Sequence, residues 1–356
     1  MAAYEDQLND AISSVRGTSP AEEERAWERL DSLTKPPRSL GRLEQIAARV
    51  ACIQGTQFPD VSDKRILLMA GDHGVVVEGV SPYPQDVTWQ MVANFVAQGA
   101  AINQIARSVD AQVSVYDVGV AKDLDDFPGI VHANVARGTA NFAQGPAMTR
   151  EQCAEAVMVG CDAAADAARG GANLLGTGEM GIGNSSAAAA LTSAFTGRAA
   201  GTVVGRGTGL DVPGVAHKVQ VVERAMRVNR TDELDPLGVL AAVGGLEIAA
   251  LAGVFIGGAQ AGVAVVSDGF ISGSAALAAV ALCPESRDFI MPSHLSTEPG
   301  HRAVLDSLGL EPVLELDMRL GEGTGAALAM GIIDGACRMM SGMATFAEAG
   351  VATGEE

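Results

Sequence analysis

The feature that most constrains this chain is a series of short apolar runs, each followed by glycine or a polar cluster and most of them then by an alanine-rich stretch. The runs are apolar throughout instead of alternating with polar residues, which is typical of strands buried on both faces of a parallel sheet. Six segments show the pattern: RILLMAGDHG (65–74), AQVSVYDVG (111–119), ANLLGTGEMG (172–181), GVAVVSDG (262–269), RDFIMPSHLS (287–296) and PVLELDM (312–318). The sequence therefore predicts a doubly wound α/β fold around a mostly parallel six-stranded sheet.

The first 55 or so residues follow a different pattern, with charged and apolar residues at helical spacing. Pro36 and Pro37 divide this segment, because proline ends a helix. We expect a helical appendage to the α/β unit.

The formal net charge of -19 would repel nucleic acid and anionic lipid, so neither is expected as a partner. Five widely spaced cysteines without a C-x-x-C motif fit reduced thiols, and the acidic N-terminus does not resemble a secretory signal. We expect a cytoplasmic protein. Residues 248–266 carry no charge and are long enough to span a bilayer, but their glycines favour a buried helix followed by a strand.

Ligands of open α/β sheets bind outside the carboxyl ends of the strands, so polar residues after each run are the first candidates for a site. These residues are Asp72, His73, Glu179, Asp268, Ser293, His294 and Glu322.

Two glycine clusters suggest phosphate binding. GTGEMG (176–181) matches G-x-G-x-x-G between a strand and a helix, yet no acidic residue follows until Asp211, so a mononucleotide fits better than NAD. GRGTGLD (205–211) precedes Lys218, so backbone donors and a cation can converge on an anion. Each cluster alone can equally be an ordinary flexible loop, but together they favour phosphate.

The stretch GDHGVVVEGVSPYPQDVTWQMV (71–92) supplies aromatic, thioether and amide groups suited to a flat heterocycle, although Trp89 and Met91 can equally be core residues. Five scattered histidines and no acidic cluster predict no metal site.

Glu322 stands between glycines in RLGEGTGAAL (319–328). It is either a solvated charge in a turn or a carboxylate brought close to a ligand by backbone that only glycine allows.

The ordered motifs KPPRSLGRLE, GDHGVVVEGVSPYPQDVTWQMV, GEMGIGNSSAAAAL, GRGTGLD, SDGFISGSAALAA, SHLSTEPGH and LRLGEGTGAAL resemble those of the nicotinate-nucleotide:dimethylbenzimidazole phosphoribosyltransferases. The resemblance spans nearly the whole chain. It implies transfer of the phosphoribosyl group of nicotinate mononucleotide to 5,6-dimethylbenzimidazole, giving α-ribazole 5′-phosphate and nicotinate, in assembly of the lower ligand of cobalamin. No further cofactor is implied.

The resemblance also implies a Rossmann-like catalytic domain over 61–329, a small helical domain from 1–60 and about 330–350, and a homodimer whose partner approaches the active site. It makes Glu322 the general base and Glu179 a candidate for stabilising the attacked carbon or for binding a hydroxyl. The phosphate and nucleotide residues that it implies are Gly181, Ile182, Gly183, Asn184, Gly207, Lys218 and Ser296. The implied base pocket contains Tyr83, Thr88, Gln90, Met91 and Leu320.

Two other interpretations stay open at this point. An NAD-linked oxidoreductase rests on GTGEMG alone, and a non-catalytic binder of a benzimidazole or its riboside needs no working base. Related benzimidazoles and adenine remain possible acceptors.

Overall fold

A computed structural model describes residues 3–352 of the 356-residue chain. Its centre is a six-stranded sheet in the order β3-β2-β1-β4-β5-β6, in which every neighbouring pair is parallel. The strands are β1 Lys64–Gly71, β2 Ala111–Gly119, β3 Val131–His132, β4 Leu174–Met180, β5 Ala264–Ser267 and β6 Ile290–Pro292. The chain adds strands outward from β1 to β3 and then returns to the other side of β1 with β4. The predicted α/β fold is confirmed, and the gap between β1 and β4 is its topological switch point.

Helices surround this sheet. The α-helices are α1 Ala3–Ser14, α2 Pro20–Ser32, α3 Arg42–Gln54, α4 Val87–Val96, α5 Ala101–Ser108, α6 Arg150–Arg169, α7 Asn184–Thr196, α8 Ala200–Val203, α9 Val212–Asn229, α10 Pro236–Val243, α11 Leu246–Ala261, α12 Phe270–Leu282, α13 Pro299–Leu308, α14 Thr324–Gly342 and α15 Phe346–Ala349. Three short 3-10 helices cover Gly74–Glu78, Thr231–Glu233 and Pro284–Phe289.

One predicted strand is wrong. Residues 312–318 form no strand, and their link to the sheet is an isolated bridge between Leu314 and His294. Asp317 has a φ of 53°, which breaks an extended conformation, and the neighbouring strand β6 is only three residues long. The sixth strand is instead the exposed two-residue β3, too short to produce an apolar run.

The uncharged stretch at 248–266 is a buried helix followed by a strand, as the glycines indicated. Helix α11 packs closely on α6, because a Cβ at Gly253 would lie 1.8 Å from the carbonyl oxygen of Val157, and a Cβ at Gly160 would lie 1.8 Å from that of Ala250. Strand β5 follows. Among residues 3–352, no helix is long and apolar enough to cross a membrane.

The N-terminal segment forms three helices, with Pro36 and Pro37 between α2 and α3. Helix α3 packs against α2 and α14, whereas α1 packs against α6 and α11. Thr34 donates its backbone N–H to the carbonyl oxygen of Ala344, which joins this segment to the end of the chain. Helix α14 therefore starts at the sheet edge and ends among the N-terminal helices.

Candidate active site

A cavity of about 610 Å³ opens at the carboxyl ends of the strands, a size typical of small-molecule sites. It receives residues that follow β1, β4, β5 and β6, at the switch point described above. Its walls are formed by Tyr83, Val87, Met91, Glu179, Met180, Gly181, Ile182, Asn184, Ser185, Gly207, Thr208, Asp268, Gly269, Phe270, Ile271, His294, Ser296, Glu298, Arg319, Leu320, Gly321 and Glu322. We call the part around Glu179, Asp268 and Glu322 the carboxylate end, and the part around Asn184, Ser185, Gly207, Lys218 and Ser296 the donor end.

The glycines beside Glu322 bring the backbone against strand β4. Gly321 and Gly323 both have a φ of +89°, a conformation that side chains disfavour, and Glu322 itself has a φ of 63°. A Cβ on Gly178 in β4 would lie 2.7 Å from the carbonyl oxygen of Glu322. Only glycine on the strand permits this approach, so the loop is built to hold one carboxylate at the sheet edge.

Asp268 anchors the same loop from β5. Its buried carboxylate accepts hydrogen bonds from the backbone N–H groups of Gly323 (3.1 Å), Gly325 (2.7 Å) and Ala326 (3.0 Å). These are free donors at the start of α14, so a carboxylate there satisfies them and interacts favourably with the helix dipole. Asp268 is thus committed to the loop rather than available to a ligand.

Glu322 is in a different position. Its side chain is buried, and Oε2 has no hydrogen-bond partner among the described residues although solvent does not reach it. Burial raises the pKa of this carboxyl, the N–H of Ile102 lowers it, and Asp268 raises it further. A buried carboxylate oxygen without a donor is costly, so this site is complete only when something donates to Oε2.

Glu179 lies near the end of β4, beside the loop that carries Glu322. Burial, followed by the charges of Asp268 and Glu247, raises its pKa to about 8, against the hydrogen bond that Asn184 donates to Oε2. Its other oxygen lies where a Cβ of Gly321 would come within 2.1 Å. A pKa of about 8 favours the protonated form of Glu179 at neutral pH.

The donor end begins at helix α7, whose first residue Asn184 follows Gly183 with a φ of 97°. Ser185 accepts a hydrogen bond from Lys218 Nζ at 2.8 Å, and Lys218 is fully buried. Burial lowers the pKa of Lys218 to about 8, partly offset by Glu298. A helix N-terminus, a hydroxyl and a buried ammonium group are the groups from which protein anion sites are built.

Gly207 and Glu298 complete this end. The backbone N–H of Gly207 donates to Glu298 Oε1 at 2.9 Å, and its carbonyl oxygen accepts from Arg319 at 2.9 Å. A Cβ on Gly207 would lie 2.8 Å from Ser185 Oγ and 3.2 Å from Lys218 Nζ. The glycine therefore lets the loop lie directly on the lysine and the serine.

The apolar wall combines residues from the β1–α4 connection and the loop before α14. Tyr83, Val87, Met91 and Leu320 all line the cavity, and Tyr83 and Leu320 are half-exposed. Apolar side chains of this kind suit a flat ring.

Most of the predicted site residues line this cavity, and four do not. Thr88 is buried behind the wall, where its Oγ1 accepts from the N–H of Ile182 at 3.1 Å. Gly183 shapes the start of α7, and Lys218 reaches the site through Ser185. Gln90 is exposed on α4 and is not part of the wall.

Several wall residues were not singled out from sequence: Ser185, Thr208, Phe270, Ile271, Glu298 and Arg319. Ser185 and Glu298 stood inside motifs already noted, GEMGIGNSS and SHLSTEPGH, where strand-end position was the available signal. Thr208 and Arg319 carry no signal beyond their neighbouring glycines.

Asp72 and His73 face inward instead. His73 Nε2 lies 2.6 Å from Glu247 Oε1, and both side chains are fully buried behind Gly181. Asp72 accepts from the N–H of Ala121 at 2.8 Å. Across residues 3–352, no three His, Cys, Asp or Glu side chains are grouped so as to hold a metal ion.

The cavity combines buried carboxylates at one end with a helix N-terminus, a hydroxyl and a buried lysine at the other. Comparison with known proteins identifies the class of the protein. The sequence model of a family described as "Phosphoribosyltransferase" matches residues 15–351. The chain is thus a phosphoribosyltransferase, a pentosyltransferase, and the oxidoreductase alternative is not supported.

Similar proteins with known names identify which family of phosphoribosyltransferases the chain belongs to. The chain is 50% identical, over 98% of its length and 99% of the relative's, to a protein of Geobacter sulfurreducens named nicotinate-nucleotide–dimethylbenzimidazole phosphoribosyltransferase. A Pseudomonas aeruginosa protein of the same name is 49% identical over 95% of this chain and 96% of its own. The crystal structure of CobT from Thermus thermophilus matches with a TM-score of 0.90 at 50% identity, covering 94% of this chain and 100% of that one. The chain belongs to the nicotinate-nucleotide–dimethylbenzimidazole phosphoribosyltransferase family.

Proposed function

We propose that this protein transfers the phosphoribosyl group of nicotinate mononucleotide to 5,6-dimethylbenzimidazole, forming α-ribazole 5′-phosphate and nicotinate, with Glu322 as the general base. The observation that carries this proposal is the buried, donor-free Oε2 of Glu322 on the wall of a cavity whose other end suits a phosphate. The reaction would belong to assembly of the lower ligand of cobalamin.

The proton and electron balance explains the need for a base. One nitrogen of the benzimidazole attacks the anomeric carbon, the bond from that carbon to the pyridinium nitrogen breaks, and its electron pair stays on nicotinate. The N–H proton of the benzimidazole passes to Glu322. Because burial raises the pKa of Glu322, it is a stronger base than a solvated carboxylate, and such assistance is worth about 10²- to 10⁴-fold.

The donor end supplies the groups for the 5′-phosphate. The N-terminus of α7 with Gly181, Ile182, Gly183 and Asn184 presents backbone donors, and Lys218 contributes a buried positive charge through Ser185. Ser296 lines the same end. These contacts hold the nucleotide in both ground and transition states, so they set affinity more than the rate of the chemical step.

Glu179 is assigned to the reacting carbon. As the bond to nicotinate breaks, positive charge develops on the ribose, and an anionic wall stabilises it. The pyridinium of the substrate favours ionisation of Glu179, because a nearby positive charge lowers the pKa of about 8 that burial produces. The carboxylate therefore gains negative charge as the pyridinium binds beside it, although the nucleotide as a whole is anionic.

The flat acceptor is placed between Leu320 and the side of Tyr83, Val87 and Met91. Thr88 supports this side from behind by bonding to Ile182, and Gln90 lies at its outer edge. Apolar walls discriminate weakly between similar rings, so related benzimidazoles and adenine are slower acceptors rather than excluded ones.

The direct test is a chromatographic assay of purified protein with both substrates and no added metal. Nicotinate and α-ribazole phosphate are expected in equal amounts. Binding of both substrates without either product would show a non-catalytic binder. Release of nicotinate without formation of α-ribazole phosphate would show hydrolysis of nicotinate mononucleotide instead of transfer.

We also propose the wider organisation that the resemblance implies. The backbone link between Thr34 and Ala344 and the packing of α3 on α14 support a small helical domain from 1–60 and about 330–350 beside a catalytic domain over 61–329. Val77, Tyr83 and Leu320, large exposed apolar residues, support a homodimer partner near the cavity mouth. The five free cysteines fit the cytoplasm. Light scattering gives the oligomeric state.

A further inference from the structure

The donor end contains one group of the wrong charge for a phosphate site. Glu298 begins α13 immediately after the Ser296 loop, and its side chain is only 8% exposed on the cavity wall. Oε1 accepts the Gly207 N–H at 2.9 Å, and Oε2 has no donor among residues 3–352. None of the predictions made from sequence gives this carboxylate a role.

Glu298 occupies a donor that an anionic ligand would use. Gly207 lies against Ser185 and Lys218, the groups best placed to hold a phosphate. Glu298 also raises the pKa of Lys218, so the two charges act on each other although they form no direct ion pair within 4 Å in the described chain. Oε1 of Glu298 therefore stands where a phosphate oxygen would accept from Gly207.

We infer that Glu298 is a specificity-determining residue that competes with the 5′-phosphate for the Gly207 N–H and for the charge of Lys218. Phosphate and carboxylate are both negatively charged and repel each other, so the nucleotide binds less tightly than the donors alone would allow. The consequence is a phosphate site that releases its nucleotide product. This inference rests on the proposed function, because it takes the ligand's phosphate to bind at the donor end.

The packing around Glu298 limits how a phosphate can replace it as the acceptor of the Gly207 N–H. A Cβ on Gly205 would lie 2.1 Å from Glu298 Oε2, so the carboxylate is packed against that backbone and has no room on that side. Ser296 Oγ accepts from the backbone N–H of Glu298 at 3.3 Å, which fixes the start of α13. The loop, in contrast, contains Gly207 with a φ of 53° and Gly209 with a φ of 129°. The phosphate therefore gains the Gly207 N–H by movement of the glycine loop rather than of α13.

The test compares wild type with Glu298→Gln, which keeps an oxygen to accept from Gly207 and removes the charge. Calorimetry measures the dissociation constants of nicotinate mononucleotide and of nicotinate riboside, which has no phosphate. We expect Glu298→Gln to bind the mononucleotide about tenfold more tightly while binding the riboside within about twofold of wild type. Glu311→Gln, at a side chain that is 80% exposed, is the charge-matched control and should change neither constant.

Unchanged or weaker mononucleotide binding in Glu298→Gln would overturn the inference, as would an equal gain for the riboside. Thermal unfolding checks the fold, and Glu298→Ala, which also removes the charge, replaces the glutamine variant if that variant does not fold. Wild-type turnover is measured in parallel. Loss of the proposed function shows as wild-type inactivity, whereas failure of this inference alone leaves wild type active and gives no selective gain in mononucleotide affinity.

Discussion

Burial shifts the pKa of the titratable groups at the two ends of the cavity in opposite directions. At the carboxylate end it raises the pKa of Glu179 to about 8, and at the donor end it lowers that of Lys218 to about 8. The cause is the same, since a low-dielectric surrounding disfavours whichever form is charged. The carboxylate end therefore carries less negative charge at neutral pH than its number of carboxyl groups suggests. At the donor end, the pKa of Lys218 is only slightly above neutral pH, so its positive charge is easily lost.

This difference shows how one cavity can receive a zwitterionic nucleotide. A phosphate stabilises the protonated form of Lys218, and a pyridinium stabilises the ionised form of Glu179. Each part of the ligand therefore favours the opposite charge on the side chain beside it. In the proposed reaction, the donor end governs affinity and the carboxylate end governs the chemical step. The following substitutions separate these two contributions.

The largest effect is expected from Glu322→Gln at the carboxylate end. Glutamine cannot accept the benzimidazole proton, so kcat for transfer should fall about 10²- to 10⁴-fold. Steady-state assays at saturating concentrations of both substrates measure this, with Glu311→Gln as the control. Turnover near the wild-type value would remove Glu322 from the role of base.

Lys218→Met addresses the donor end. It replaces a buried ammonium by an apolar chain of similar length, so the KM for nicotinate mononucleotide should rise about 10- to 100-fold, as expected for a lost charge-assisted contact. The KM for dimethylbenzimidazole should stay within about twofold, because we assign that base to the apolar wall and not to the donor end. A selective loss of kcat instead would place Lys218 in the chemical step.

Gly321→Ala tests the geometry of the loop that carries Glu322. The position has a φ of +89°, and the added Cβ would lie 2.1 Å from Glu179 Oε1. We expect a loss of roughly 1–3 kcal/mol in the free energy of unfolding and lower kcat. Gly335→Ala, on the exposed side of α14 with open space at its Cβ, should instead stabilise by about 0.5–1 kcal/mol. Urea unfolding of both variants gives the comparison, and equal effects would refute it.

The smallest expected effect is the pH dependence of stability at Glu179. Its folded pKa is raised, so its contribution is fully present below the unfolded pKa and is lost as pH rises toward about 8. Glu179→Gln, which does not ionise, should therefore exceed wild type in unfolding free energy at pH 9 by at least about 1 kcal/mol, and by less at pH 5. If the difference in unfolding free energy between Glu179→Gln and wild type is the same at pH 5 and pH 9, folding does not raise the pKa of Glu179.

The sequence predicted the parts of this molecule that local pattern controls. The runs at 65–74, 111–119, 172–181, 262–269 and 287–296 each contain a strand, because buried parallel strands need continuous apolar residues. The run at 312–318 is similarly apolar, but whether a short segment forms a strand depends on the strand beside it. The neighbouring strand β6 has only three residues, so this run makes one isolated bridge. Strand β3 has two residues and no pattern to detect.

Sequence also has a limit in predicting which residues line the site. Their positions after strands placed Glu322 and Glu179 near one cavity, because strand ends meet at one edge of the sheet, and the family resemblance added Asn184. Sequence order does not reveal whether a side chain reaches the wall, so Thr88 and Lys218, which lie behind it, were not distinguishable from Ser296, which lines it. Glu298 was missed because its position depends on the fold of the separate 205–211 loop.

We propose that the carboxylate end performs the chemistry while the donor end holds the nucleotide. Calorimetric titration of nicotinate mononucleotide into Glu322→Gln tests this division of roles. We expect a dissociation constant within about twofold of wild type for a variant whose turnover has been lost, because the proposed role of Glu322 concerns the acceptor base alone. A loss of nucleotide affinity comparable to that of Lys218→Met would contradict it.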